Sequence, residues 1–175
     1  MIMVAGNFQS FAQFHVAAIT AALAMPAQQL WLYFSAIILS IIGLPMIIKK
    51  ELLREHGLDR IVAFGRLLFA VPLAVFGTEH FVDAKDIAGI VPDWLPVHMF
   101  FVYLVGAGLI AAALSIVVKI QSRLAATLLG IMFLIFVALI HIPGILANPH
   151  DRIFWAVGLR DISFGGGAFA LRDLK

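Results

Sequence analysis

The chain has 175 residues, of which 63% are hydrophobic and 13% are charged, and its mean hydropathy is +1.05. Soluble domains contain about 45–50% apolar and about 25% charged residues, so this composition excludes a soluble globular domain and predicts an integral membrane protein. The formal net charge is +2 and cysteine is absent, which excludes disulfides, thiolate metal sites and thiol–disulfide chemistry.

The N-terminal segment, residues 1–28, contains the apolar stretch HVAAITAALAMP. This stretch resembles the core of a signal peptide, but no Lys or Arg precedes it, and a signal peptide normally has a basic leader. We therefore expect an extracytoplasmic, interfacial helix that ends near Pro26, with a cleaved signal peptide as the alternative.

The rest of the chain contains apolar stretches of the length that crosses a bilayer as helix, about 20 residues. The stretches between them are short and carry charge, Pro or Gly, so the helices are expected to run up and down. The fold class is predicted to be an all-α, polytopic membrane bundle, with one additional transmembrane helix at 29–48 followed by a four-helix membrane domain at 61–172. The five predicted spans are 29–48, 61–82, 96–118, 124–146 and 153–172.

Basic residues collect on one side of these predicted spans. The positive-inside rule places that side in the cytoplasm, with the N-terminus outside and the C-terminus in the cytoplasm of a bacterial inner membrane. The basic residues lie in short loops, where they set the orientation of the spans. The pI of about 9.2 is therefore not taken as a sign of nucleic-acid binding. On the cytoplasmic side are Lys49, Lys50, Arg54, Arg60, Lys119, Arg123, Arg172 and Lys175; on the outer side are Lys85 and Arg152, together with all three tryptophans, Trp31, Trp94 and Trp155.

Ionisable residues also collect near the outer ends of the predicted spans. Glu79 and His80 close the second span, and His141 lies near the outer end of the fourth. Arg160 and Asp161 lie in the fifth span, roughly 10 Å below the surface at 1.5 Å per residue. These five residues are expected to line one polar pocket in the periplasmic half of the bundle.

Arg160 and Asp161 are the costliest pair to place in lipid, at roughly 2.5 to 3.5 kcal/mol each, so both should have partners. Neighbouring side chains diverge by about 100° around a helix, so Arg160 and Asp161 are not expected to pair with each other. The prediction pairs Arg160 with Glu79 and Asp161 with His141. A purely structural clamp between helices is the alternative.

Helical spacing extends the predicted site. Arg66 and His80 are fourteen residues apart, close to four turns, so they share a face that should point into the bundle; the alternative is that Arg66 reaches the cytoplasmic headgroups. His141 shares a face with Gly130, and Pro143 is expected to break the helix just beyond it. His80 and His141 each lie at the end of a span that runs outward. This similarity could reflect duplication of a two-helix unit or could be a coincidence. A seam packed by small residues, including 165–167, is expected in the inner half.

No P-loop, GxGxxG fingerprint, HExxH or nucleophile elbow is present. A haem between His80 and His141 is left open, although both histidines lie near the rim of the bundle and not at mid-depth. A divalent metal on these histidines and a carboxylate is also left open, although the spacing is not diagnostic.

Four stretches between residues 61 and 171 resemble the DoxX family of small four-helix membrane proteins of bacteria and archaea. The resemblance implies a four-helix bundle and an association with quinone-linked redox complexes, since the family takes its name from a subunit associated with thiosulfate:quinone oxidation. It supplies no accepted catalytic residues. The stretches are GRLLFAVPLAVFGTEHF, VPDWLP, GAGLIAAALSIVVKIQSRLAATLLGIMFLIFVALIHIPG and LRDISFGGGAFAL.

The expected function is that of a membrane subunit or partner of a quinone-linked redox system, with a quinone headgroup in the outer pocket. His80 and His141 would exchange protons, and Arg66, Glu79, Arg160 and Asp161 would bind the substrate. One alternative is a non-catalytic membrane anchor or assembly factor. A small transporter is the least favoured alternative, because no broken helix is evident near mid-membrane.

Overall fold

The computed structural model describes residues 27–49, 53, 57 and 59–172. The chain divides into two compact units, residues 1–31 and 32–175, and the candidate site lies wholly within the second. The predicted N-terminal interfacial helix falls outside the described residues, as do the basic residues Lys50, Arg54 and Lys175 that contributed to the predicted orientation.

Within the described residues all regular secondary structure is helical, as the sequence predicts. The elements in chain order are α1 (Ala27–Ile47), α2 (Asp59–Val82), α3 (Ala84–Ala88), α4 (His98–Val118), α5 (Ser122–Phe136), a π-helical turn (Val137–His141), α6 (Ile142–Ala147) and α7 (Arg152–Arg172).

Among the residues that the structure describes, four stretches of helix are long and apolar enough to cross a membrane. The fifth predicted span is α7, a helix of 21 residues at the predicted position. Arg160 and Asp161 lie near its middle, and α7 is not one of these four helices. The four are Leu30–Ile47 in α1, Phe64–Val82 in α2, His98–Val118 in α4, and Ser122–Ala147, which runs from α5 through the π turn into α6.

Two pairs of closely packed helices form the body of the structure: α2 with α4, and α5 with α7. A Cβ placed on Gly77 would lie 2.9 Å from the carbonyl oxygen of Gly106, and one on Gly165 would lie 3.6 Å from that of Gly130. The distance at Gly77 is too short for a side chain, and small residues permit such close packing of helices in lipid, whereas the 3.6 Å at Gly165 is ordinary van der Waals contact. The sequence predicts a seam packed by small residues; that α2 pairs with α4 and α5 with α7 comes from the structure.

Aromatic side chains join the two pairs. The Phe164 ring on α7 lies 5.6 Å from Phe69 and 5.5 Å from Phe76, both on α2, and 5.4 Å from Phe133 on α5, measured between ring centroids. Contacts at these separations stabilise a core beyond the area that they bury. The phenylalanine cluster therefore packs α2 against the α5–α7 pair, and two of its rings, Phe76 and Phe133, also line a cavity.

The prediction that Pro143 breaks its helix is wrong, because the chain remains helical to Ala147. Proline has no N–H, and its ring collides with the carbonyl four residues earlier in a regular α-helix. The preceding π turn accommodates this proline, with the Ile142 N–H donating to the Val137 carbonyl five residues back. His141 is the last residue of that turn, and π turns are frequent at functional sites.

Candidate functional site

A cavity of about 520 Å³ lies between the two helix pairs, which is within the usual range for small-molecule sites. Residues from α2, α4, the α5–π segment and α7 line it, together with part of the α3–α4 connection. Five of the six residues predicted from the sequence belong to this lining: Glu79, His80, His141, Arg160 and Asp161.

Arg66 is the sixth predicted residue, and it is not part of the cavity lining. It is buried on α2, fourteen residues before His80, with 8% of its surface exposed. Phe76 is the lining residue of α2 nearest to Arg66, and the ten residues between them correspond to roughly 15 Å of helix. The geometry therefore gives no support to the ligand-binding role predicted for it.

Asp161 is the most buried charged group of the cavity, with 3% of its surface exposed. Its Oδ2 accepts a hydrogen bond from His141 Nε2 over 2.8 Å, and its Oδ1 accepts one from Arg160 Nε over 3.0 Å. A buried carboxylate is costly unless such partners satisfy it. The pairing of Asp161 with His141 that the sequence predicts is present in the structure.

Arg160 does not pair with Glu79 as predicted; it pairs with its neighbour Asp161, and within the described part of the chain no ion pair joins it to Glu79. Side chains of neighbouring residues leave a helix about 100° apart, but this angle describes only the Cα–Cβ bonds. The long arginine side chain bends back far enough to bring Nε to the carboxylate of Asp161. The guanidinium carbon lies 4.8 Å from the centre of the Phe76 ring, a cation–π contact. The side chain is 45% exposed, so its Nη groups remain available to a ligand.

His80 has a fixed tautomer. Its Nδ1 lies 2.7 Å from the Phe76 carbonyl oxygen. A carbonyl only accepts hydrogen bonds, so Nδ1 carries the proton, and Nε2 of the neutral ring has a lone pair. Glu79, next to it in the lining, is a half-buried side chain that makes no ion pair within the described region.

Each histidine is seated against a glycine of its partner helix. A Cβ on Gly106 would lie 2.7 Å from His80 Cβ, and one on Gly158 would lie 3.3 Å from His141 Cβ. Any larger residue at Gly106 would displace the histidine or separate the helices. Gly106 belongs to a run of small residues, GAGLIAAA, that was expected to pack closely, but its contact with His80 was not predicted. Gly158 was missed, because nothing in the sequence indicates which helix faces which.

The α3–α4 connection covers one side of the cavity, which the sequence also missed. Its proline-rich stretch was predicted only as an outer loop with Trp94 as an interfacial anchor. An apolar loop next to water is a signal that a buried or ligand-binding surface lies behind it. The lining residues are Ile87 at the end of α3 and, from the connection itself, Ile90, Val91, Pro92, Trp94 and Leu95.

The remaining walls are largely aromatic and aliphatic, and they include Phe76, Phe101, Phe133 and Phe136. The cavity therefore combines apolar surfaces with a few directional groups: Arg160 as a donor, and Glu79 and His80 Nε2 as acceptors. Such a site is suited to a flat, apolar molecule that has oxygen atoms at its edge. Among the described residues, no three His, Cys, Asp or Glu side chains are grouped to hold a metal ion.

Residues 69–150 match a protein family described as a domain of unknown function (DUF8561). The matched region is less than half of the chain and includes Glu79, His80 and His141, but it ends before Arg160 and Asp161. Searches of curated proteins and of solved structures gave no match.

Proposed function

We propose that the chain is a multi-pass protein of the bacterial inner membrane that binds a quinone headgroup in its cavity, as a subunit or partner of a quinone-linked redox system. The observation that carries this proposal is the cavity itself. Aromatic and aliphatic walls enclose about 520 Å³, and the guanidinium of Arg160 lies at its edge. A quinone presents the complementary features, a flat apolar ring with oxygen acceptors.

The proposed membrane setting follows from helix lengths and loop charges. In the described part of the chain, four helices are long and apolar enough to cross a bilayer, and α7 would be the fifth span. The paired, buried carboxylate of Asp161 is consistent with α7 in a membrane, because charged residues there face partners or cavities. The loop charges put the C-terminus in the cytoplasm, which places the cavity in the periplasmic half. The resemblance to the DoxX family supports the link to quinone chemistry.

In the proposed complex, Arg160 donates hydrogen bonds to a ligand oxygen and stabilises negative charge on it. The Phe76 ring and Asp161 Oδ1 hold the guanidinium in place from two directions. His80 is the residue placed to exchange a proton with the ligand, since its Nε2 has a free lone pair.

A second candidate function, a non-catalytic anchor or assembly factor, is favoured by one observation. Asp161 links the π turn to α7 through His141, and both of its oxygens are satisfied inside the protein. That arrangement fixes helices with or without a ligand. The two functions make different demands on Glu79, His80 and Arg160. Ligand binding uses the polar atoms of these residues, whereas a protein that only anchors a partner does not require them.

Tryptophan fluorescence separates these functions, because Trp94 belongs to the cavity lining and Trp155 does not. The Trp155 indole N–H instead donates to the Pro149 carbonyl over 3.0 Å. In lipid nanodiscs, a variant with Trp31→Phe and Trp155→Phe retains only Trp94, and one with Trp31→Phe and Trp94→Phe retains only Trp155. A benzoquinone or naphthoquinone with a short tail is titrated into each.

Saturable quenching of Trp94, with only weak and linear quenching of Trp155, is the expected result. Arg160→Ala in the Trp94-only background should abolish saturation, whereas Arg152→Ala, on the exposed outer end of α7, should not. Equal, linear quenching of both tryptophans would reflect quinone dissolved in the lipid and would favour the anchor.

A further inference from the structure

We infer that the cavity binds the reduced, hydroxyl-bearing form of the quinone more tightly than the oxidised form, and that His80 Nε2 is the atom that distinguishes them. This inference rests on the proposed function and adds the preferred redox state of the ligand. It concerns binding alone, so it requires no electron acceptor.

The first step is the position of the proton on His80. Nδ1 donates to the Phe76 carbonyl oxygen over 2.7 Å, which is short for a hydrogen bond of this type. The opposite tautomer would set two lone pairs against each other at that distance. Neutral His80 therefore offers the cavity an acceptor and no donor.

The second step is that this acceptor is held in place. The Nδ1 bond fixes the ring relative to α2, and His80 Cβ is seated against Gly106 of the facing helix. Rotating the ring to present its N–H would break the bond to the Phe76 carbonyl. Nε2 makes no hydrogen bond with the residues that the structure describes, and His80 belongs to the cavity lining.

The third step compares the two ligand forms. A quinone oxygen can only accept, so it fits the donors of Arg160 but opposes the lone pair of His80 Nε2. A quinol oxygen accepts from Arg160 equally well, and the quinol also has hydroxyl hydrogens that it can donate to Nε2. A buried acceptor left without a donor costs enough to change the affinity roughly tenfold to a hundredfold.

The test is a competition titration under anaerobic conditions, with the quinone and quinol of the same short-tailed compound. Using one redox couple means that electron exchange between the two forms changes nothing. The Trp94-only variant is first saturated with the quinone, and the quinol is then added to displace it. The concentration required gives the ratio of the two affinities.

Two substitutions at His80 form a matched pair. His80→Asn retains an amide that can donate to the Phe76 carbonyl but has no group at the position of Nε2. His80→Gln has its carboxamide oxygen near that position and keeps an acceptor there. We expect a wild-type preference for quinol of roughly tenfold or more, a ratio near one in His80→Asn, and a substantial preference in His80→Gln.

Equal affinities in the wild type, a preference for quinone, or an unchanged ratio in His80→Asn would overturn the inference and leave the proposed function intact. Loss of the preference in Glu79→Gln, with His80→Asn unaffected, would assign the acceptor to Glu79 and also overturn it. Absence of saturable quenching by either form would reject the proposed function itself. Circular dichroism melting of each variant establishes that it is folded.

Discussion

Asp161 Oδ2 accepts a hydrogen bond from His141 Nε2 over 2.8 Å, which joins α7 to the π turn across twenty residues of chain. The other carboxylate oxygen holds Arg160, whose guanidinium lies against Phe76 on α2. One buried carboxylate thus connects three elements that surround the cavity. The positions of His141 and Arg160 both depend on it.

Replacing Asp161 with alanine should lower the free energy of unfolding by about 2 kcal/mol, because it leaves the largely buried His141 without an acceptor and removes the bond to the more exposed Arg160. Asp161→Asn retains one acceptor oxygen and should cost less. The matched control is Asp93→Ala on the exposed α3–α4 connection, which should stay within about 0.5 kcal/mol of the wild type. Denaturant titration in detergent, followed by circular dichroism, measures each value.

A double-mutant cycle isolates the bond between the two side chains. Asp161→Ala and His141→Ala should be non-additive by about 1 kcal/mol or more, since the residues are in direct contact. Strictly additive effects would show that the hydrogen bond contributes nothing beyond the packing of its two partners.

Two glycines on α4 give a controlled test of the α2–α4 seam. A Cβ at Gly106 would lie 2.9 Å from a ring carbon of Phe81 and 3.0 Å from the Gly77 carbonyl oxygen, whereas one at Gly108 would meet nothing within 4 Å. Gly106→Ala should destabilise the fold by about 1–3 kcal/mol through overpacking. Gly108→Ala should be neutral or stabilise it by up to about 1 kcal/mol through helix propensity. Equal effects at both positions would argue against close contact of these helices.

Arg160 should not be replaceable by lysine. Lysine retains the charge but loses the Nε bond to Asp161 and the flat surface that stacks on Phe76. Arg160→Lys should weaken quinone binding by about tenfold, measured by saturable quenching of Trp94. Arg152→Lys is the control at an exposed position of the same helix. Wild-type affinity in Arg160→Lys would show that charge alone is sufficient.

Cysteine labelling tests the membrane topology directly, because the native chain has no cysteine. A membrane-impermeant maleimide applied to spheroplasts, whose outer membrane is open, should label Asp93→Cys and His150→Cys but not Gln121→Cys or Lys175→Cys. Labelling of His150→Cys together with Lys175→Cys would show that α7 does not cross the membrane. Labelling of Gln121→Cys in place of Asp93→Cys would reverse the proposed orientation.

Much of the fold could be predicted from the sequence, because a chain this apolar must satisfy its backbone hydrogen bonds internally and therefore forms helices. The positions of α1, α2, α4 and α7 followed from the lengths of apolar runs between charged or Pro-rich stretches. The continuation of the helix past Pro143 could not be predicted from the sequence. A proline predicts an interrupted helix. Whether the helix ends at the proline or continues through a π turn depends on the residues that pack around it.

The sequence by itself determined that Glu79, His80, His141, Arg160 and Asp161 would collect near one level, because helical rise and alternating direction fix the depth of each residue along its helix. Only the tertiary structure decided which of the two predicted pairings forms, since the rotation of each helix about its axis is set by packing between helices that local spacing does not encode. Packing at Gly106 and Gly158 sets where the histidines sit, and a side chain as long as Arg160 can bond in several directions. For that reason Arg160 bonds with Asp161 and not with Glu79.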